Sequence, residues 1–195
     1  MVGKGAGTMK EIAHYEGRLL NHLEALYRPG ERAIAIKLAE ALGCSISDTG
    51  FKGDGVDTFL AVHPNPDDRN GQNNVFYMSQ IRPEQLALEE RLLALNSANP
   101  DLARDLERYR EAARTKPFGV PHFSLRYASG QDVEEVAERV HGLRKELKDR
   151  LHLRIFRPGD VDAAGGRLIQ GFLYQDVIVS GSFLMGQLIE LQTQP

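Results

Sequence analysis

The run from Leu19 to Tyr27 alternates as a strand does, and Arg28-Pro29-Gly30 closes it. Proline presets φ and glycine accepts a positive one, so these three residues predict a turn. Ala33, Ile34, Leu38, Ala41 and Leu42 then recur near helical spacing over Glu31 to Leu42, with Gly43 placed to end the helix. After Cys44 to Ser47, "VDTFLAVHP" and "NNVFYMSQI" predict two strands around the polar loop "NPDDRNGQ". The first unit therefore reads β-α-β-β-β.

The same order returns one hundred positions later, where His122 stands as His22 does. "VPHFSLRY" predicts a strand, "ASGQ" a turn, and Asp132 to His141 a helix with Asp132 as its N-cap and Gly142 after it. "LHLRIFRP", "GRLIQGFLYQDVIVSG" and "SFLMGQLIELQ" supply the remaining strands. A one-residue shift after the turn aligns Ile34 with Val133, Ala41 with Val140 and Gly43 with Gly142. Matching residues at element boundaries in matching order indicate a duplicated unit. The expected class is α+β: two βαβββ modules forming a cupped mixed sheet, joined by a helical connector. The expected boundaries are a flexible leader over 1–18, module 1 over 19–82, the connector over 83–117 and module 2 over 118–195.

The connector is rich in helix formers, and "SANPD" marks a break and a fresh start. Two amphipathic helices are predicted, with Leu86, Leu92, Leu93 and then Leu102, Leu106, Tyr109 as their apolar faces. Packing against the outer face of a sheet is the expected role; a dimer contact or a lid over a cleft are the alternatives.

Composition narrows the partners. Apolar residues make up 42% and charged residues 26% of the 195, as in globular chains. A net charge of −3 gives no field to attract phosphate backbones, so no nucleic acid is expected. The single Cys44 excludes an internal disulfide and suits a reducing compartment. No segment is apolar enough to span a bilayer, and the first ten residues lack a secretory h-region. No membrane partner and a cytoplasmic location are expected.

Alternate side chains of a strand share a face. His22 thus shares one with Glu24 and Leu26, His122 with Ser124 and Arg126, and Glu190 with Leu188 and Gln192. If the modules pack about a pseudo-twofold axis, both histidines enter one cavity and Glu190 completes a triangle. Two imidazoles and a carboxylate leave open positions on a metal, a pattern suited to Fe(II) and oxygen.

"LNHLEALYRPGERAIAIKLAEALGCSISDTG" resembles the opening of a module of the vicinal oxygen chelate superfamily. That superfamily includes glyoxalase I, bleomycin- and fosfomycin-resistance proteins and type I extradiol dioxygenases. The resemblance covers both halves and implies paired βαβββ modules around a divalent metal. It implies His22, His122 and Glu190 as ligands, in an order similar to the extradiol dioxygenases, with iron favoured and manganese, zinc or nickel as alternatives. The implied activity is ring cleavage of a small catechol-like substrate. A glyoxalase-like lyase or isomerase, or a non-catalytic binding protein of the bleomycin-resistance type, are the alternatives, and a homodimer is expected. The chain departs from the dioxygenase pattern at Asn73-Asn74, where a second histidine is usual, and in "SGSFLMGQ" before the last strand.

Three further residues have two readings each. An imidazole titrates near neutrality, so His63 could serve acid–base work at a pocket rim, or be a solvated loop residue. Tyr174 could donate to a substrate oxyanion, or be a core tyrosine with a satisfied hydroxyl. Arg126 could hold a substrate carboxylate with its planar fork, or pair with Glu24.

Overall fold

In the computed structural model, residues 22–52, 57–69, 74–160 and 168–193 are described. The expected leader over 1–18 lies outside the described residues. Module 1 runs β1 (His22–Tyr27), α1 (Arg32–Ala41), β2 (Ser45–Asp48), β3 (Leu60–His63) and β4 (Val75–Gln80). The connector holds α2 (Pro83–Ala98) and α3 (Pro100–Thr115). Module 2 runs β5 (His122–Tyr127), α4 (Gly130–Gly142), the short α5 (Arg144–Leu147), a 3-10 turn (Lys148–Arg150), β6 (Leu151–Phe156), β7 (Gln170–Gln175) and β8 (Gln187–Thr193).

Each module folds into a four-stranded mixed sheet, in the orders β1-β4-β3-β2 and β5-β8-β7-β6. In both, the first strand runs parallel to the last, and the remaining pairings are antiparallel. The internal repeat is therefore real in three dimensions. Each module carries its own sheet, and among the described residues one isolated bridge joins Leu26 to Val179 in the β7–β8 connection. The two backbone hydrogen bonds there measure 2.7 and 3.0 Å and give the outer edge of β1 a partner.

One face of each sheet packs on helices. Ala35, Leu38 and Ala39 of α1 and Val133, Val136, Ala137 and Val140 of α4 share one buried cluster with Ala25, Phe76, Leu125, Leu173 and Leu191. The two modules thus share a core, and polar contacts tie them as well. Tyr127 donates its hydroxyl to Leu42 O at 2.8 Å, and Arg139 donates to Ala41 O at 3.0 Å. Arg150 reaches Glu31 and Asp176 at 2.7 Å each, and Arg28 reaches Asp176 at 3.2 Å.

The punctuation signals act at defined points. Gly30 (φ 78°) turns the chain into α1 and Gly43 (φ 88°) ends it. The N-cap of α4 is Ser129 rather than Asp132. Ser129 Oγ accepts from the Asp132 backbone, while the Asp132 carboxylate accepts from the Ser129 backbone, which makes Asp132 the third helical residue of a capping box.

The connector differs from expectation in which face it covers. Ala113 of α3 packs with Phe156, Phe172, Tyr174 and Leu188, on the side of sheet 2 opposite α4. Leu106 is buried, whereas α2 buries no residue, and Leu92, Leu93 and Leu102 are exposed. Leu86 packs beside Ile81, Val179 and Phe183. Helical periodicity shows that a helix has an apolar face but not which surface receives it. Among the described residues no helix is long and apolar enough to cross a membrane.

Candidate functional site

Strand register sets which side chains can meet. In module 2, Ser124 lies opposite Glu190 and His122 opposite Leu188, so His122 and Glu190 are diagonal neighbours on one face. His122 Nε2 lies 3.3 Å from Glu190 Oε2, and His122 Nδ1 lies 2.8 Å from Val120 O. Glu190 Oε1 accepts from Gln170 Nε2 at 2.7 Å on the neighbouring strand. Phe172 stands edge-on to the His122 ring, with centroids 6.0 Å apart. Gln170 Oε1 is buried without a hydrogen-bond partner, so the polar network under the pair is incomplete on its inner side.

The corresponding face of module 1 is built differently. His22 is exposed and lies edge-on to Tyr77 at 5.3 Å between ring centroids. Glu24 Oε1 accepts from Ser79 Oγ at 2.7 Å. Two of the three expected ligands therefore meet, and His22 does not join them. Among the described residues no three His, Cys, Asp or Glu side chains come together as a metal site. The donor set present among the described residues fits no three-ligand cation centre.

The other expected residues are occupied in ways that bear on their roles. His63 is buried at the end of β3, with Nδ1 lacking a hydrogen-bond partner. Burial, then the Arg69 charge, holds its pKa below the ordinary histidine value, against an opposing pull from Asp68. Tyr174 donates its hydroxyl to Met185 O at 2.9 Å, and burial raises its pKa. Arg126 is exposed, forms no ion pair with Glu24, and lines a cleft of about 330 Å³ with Asp132, Glu135 and Arg139.

Sequence reasoning did not find the cavity of about 470 Å³ on the His22 side. Glu24, Leu26, Asp57, Phe59 and Ser79 line it from module 1, and Ser180 and Gly181 reach it from the β7–β8 connection. Asp57 accepts from Tyr27 Oη at 3.4 Å, and neither Glu24 nor Asp57 forms an ion pair among the described residues. Glu24 was legible as a neighbour of His22 by alternation. Asp57 lies outside the strands and helices, where no period marks the direction of a side chain.

Two modules of one βαβββ plan, with a histidine opening each first strand, define the class. The chain is an α+β fold of two similar modules, each with its own four-stranded mixed sheet. No family model matches the chain, and no curated protein matches it. Among solved structures it is similar to the fosfomycin resistance protein FosX from Mesorhizobium loti, at 14% identity and a TM-score of 0.42, covering 93% of this chain and 94% of that one. It is also similar to protein PA1353 from Pseudomonas aeruginosa, at 11% identity and a TM-score of 0.43, covering 91% and 98%.

Proposed function

We propose that the protein binds a small molecule in the cavity beside β1, and that the ligand joins a cationic group to an apolar body. The observation that carries this reading is the cavity itself. Its volume of about 470 Å³ falls in the range of small-molecule sites, and both modules contribute to it. Glu24 and Asp57 offer two carboxylates, each accepting from a hydroxyl, against one lining cation, Arg82, and Leu26 and Phe59 offer apolar surface. This corresponds to the non-catalytic branch of the resemblance, the bleomycin-resistance type. Ligand-induced thermal stabilisation across a set of small amines, reduced in Glu24→Gln, is the test. About one iron per purified chain, with catechol-dependent oxygen uptake lost in His122→Ala, would overturn it.

One observation favours a second reading, an enzyme using a divalent metal at His122 and Glu190. A metal-bound imidazole is held by a hydrogen bond from its other nitrogen, and Val120 O stands ready to accept one from His122. Extradiol-type oxygenation with Fe(II), and glyoxalase-like lyase or isomerase chemistry with manganese, zinc or nickel, both require that His22 or another donor join the pair. In either reading the partner is a small molecule. We also take the chain to be a homodimer, through the exposed leucines of α2.

A further inference from the structure

A second concavity, of about 480 Å³, lies at the far edge of module 2 and is lined by Arg114, Arg144, Lys148, Asp149, Leu151 and His152. Four elements meet there: the last turn of α3, the short α5, the 3-10 turn and the start of β6. The chain as a whole carries −3, yet this hollow gathers three permanent cations against the single lining carboxylate of Asp149. Arg114 is tied to Glu107 and, at 3.3 Å, to Glu111. Arg144 and Lys148 form no ion pair among the described residues.

The backbone adds an independent sign. Lys148 has φ 49° and ψ −123°, in the region that L side chains avoid and glycine takes freely. Strain of this kind persists where the surroundings fix it and gathers at ligand sites. Here it falls on a cation that lines a hollow. His152 fits the same picture, because burial and then the charges of Arg114 and Arg144 hold its pKa below the ordinary value. Arg154 adds to this and Glu111 opposes it.

We propose that this hollow is a binding site for a small molecule bearing a phosphate-like dianion, held by Arg144 and Lys148 and hydrogen-bonded by His152. The guanidinium of Arg144 presents a planar fork to phosphate oxygens, and Lys148 adds a compact charge. Leu151 gives the rest of the molecule an apolar wall. A polynucleotide fits less well, since it needs a row of cations and this chain is net acidic. The site is separate from the cavity beside β1, and neither proposal depends on the other.

Titration of the full chain with inorganic phosphate, and with sulfate as a dianion of fixed charge, tests this by NMR at constant ionic strength. Saturable shifts confined to residues 144–152 and Arg114 are expected. Arg144→Ala and Lys148→Ala should each weaken binding about tenfold, the usual loss for one charged hydrogen bond. Sulfate should bind more tightly as pH is lowered below the ordinary histidine value, where His152, its pKa held down by burial and then by Arg114 and Arg144, takes up a proton, with Arg154 and Lys148 opposing and Asp149 and Glu111 favouring it. Lys148→Gly should raise the melting temperature while losing the anion, which separates binding from folding. Shifts that never saturate, equal affinity in both alanine variants, or tighter binding of a short oligonucleotide than of phosphate would overturn the proposal.

Discussion

His122 turns both of its ring nitrogens toward acceptors, Nδ1 to Val120 O at 2.8 Å and Nε2 to Glu190 Oε2 at 3.3 Å. A neutral ring with its proton toward Val120 presents a bare nitrogen to the carboxylate. The contact is satisfied when a proton or a metal cation lies between them. Glu190→Gln removes the carboxylate facing Nε2, so in metal-free protein the His122 Nε2 ¹⁵N resonance should shift while Nδ1, held at Val120 O, stays in place. Equal movement of both resonances, or of neither, would show that the Glu190 contact does not form.

His63 predicts a pH dependence of stability. Its pKa in the fold is depressed, chiefly by burial, below the unfolded value of about 6.5. As pH falls through about 6.5 the unfolded chain takes up a proton that the native ring resists. Stability is therefore full above that value and is lost as pH falls toward the native pKa. Melting temperatures between pH 8 and 5 should fall less steeply in His63→Gln than in the parent. Parallel curves would remove His63 as the cause.

Gly186 lies under the Tyr174 ring. A Cβ at Gly186 would sit 2.5 Å from the Tyr174 hydroxyl oxygen and 2.6 Å from Cζ, at a φ of 73°. Backbone strain and overpacking should together make Gly186→Ala cost about 3 kcal/mol by chemical denaturation. Tyr174→Phe removes only the hydrogen bond to Met185 O, and about 1 kcal/mol is expected. A Gly186→Ala variant as stable as the parent would mean that this ring shifts freely.

The leucines of α2 and early α3 predict self-association. Leu88, Leu92 and Leu95 are 56, 39 and 62% exposed and recur at helical spacing on α2, and Leu102 at the start of α3 is 47% exposed. Sedimentation should show a dimer for the parent and a monomer, with its fold intact, for Leu88→Glu combined with Leu95→Glu. A parent that sediments as a monomer at micromolar concentration would end the homodimer reading.

Much of this chain was readable before its coordinates, and the failures have physical causes. Gly30 and Gly43 marked the limits of α1 because few residues other than glycine take their backbone angles readily. Alternation shows that His122 shares a face with Ser124 and Arg126 and Glu190 with Leu188 and Gln192, but not that β5 and β8 are neighbours, which is set by the parallel pairing of the two strands. Asp132 was misread as an N-cap because a capping box puts an acid three residues inside the helix, and Ser129 was the true signal. The short α5 and the 3-10 turn have too few residues to show a period. His22 was grouped with the pair on an assumed symmetry between modules, and no strand pattern can fix how two sheets are set against each other.

The seating of Ala113 against Phe172 and Leu188 means that the two copies have ceased to be interchangeable. One half of the molecule has its hollow plugged by a piece of its own chain, while the other keeps an open bay. Changes that tailor the protein to a new guest can accumulate around the open bay without unseating α3. Changes near His122 must also keep that plug in place.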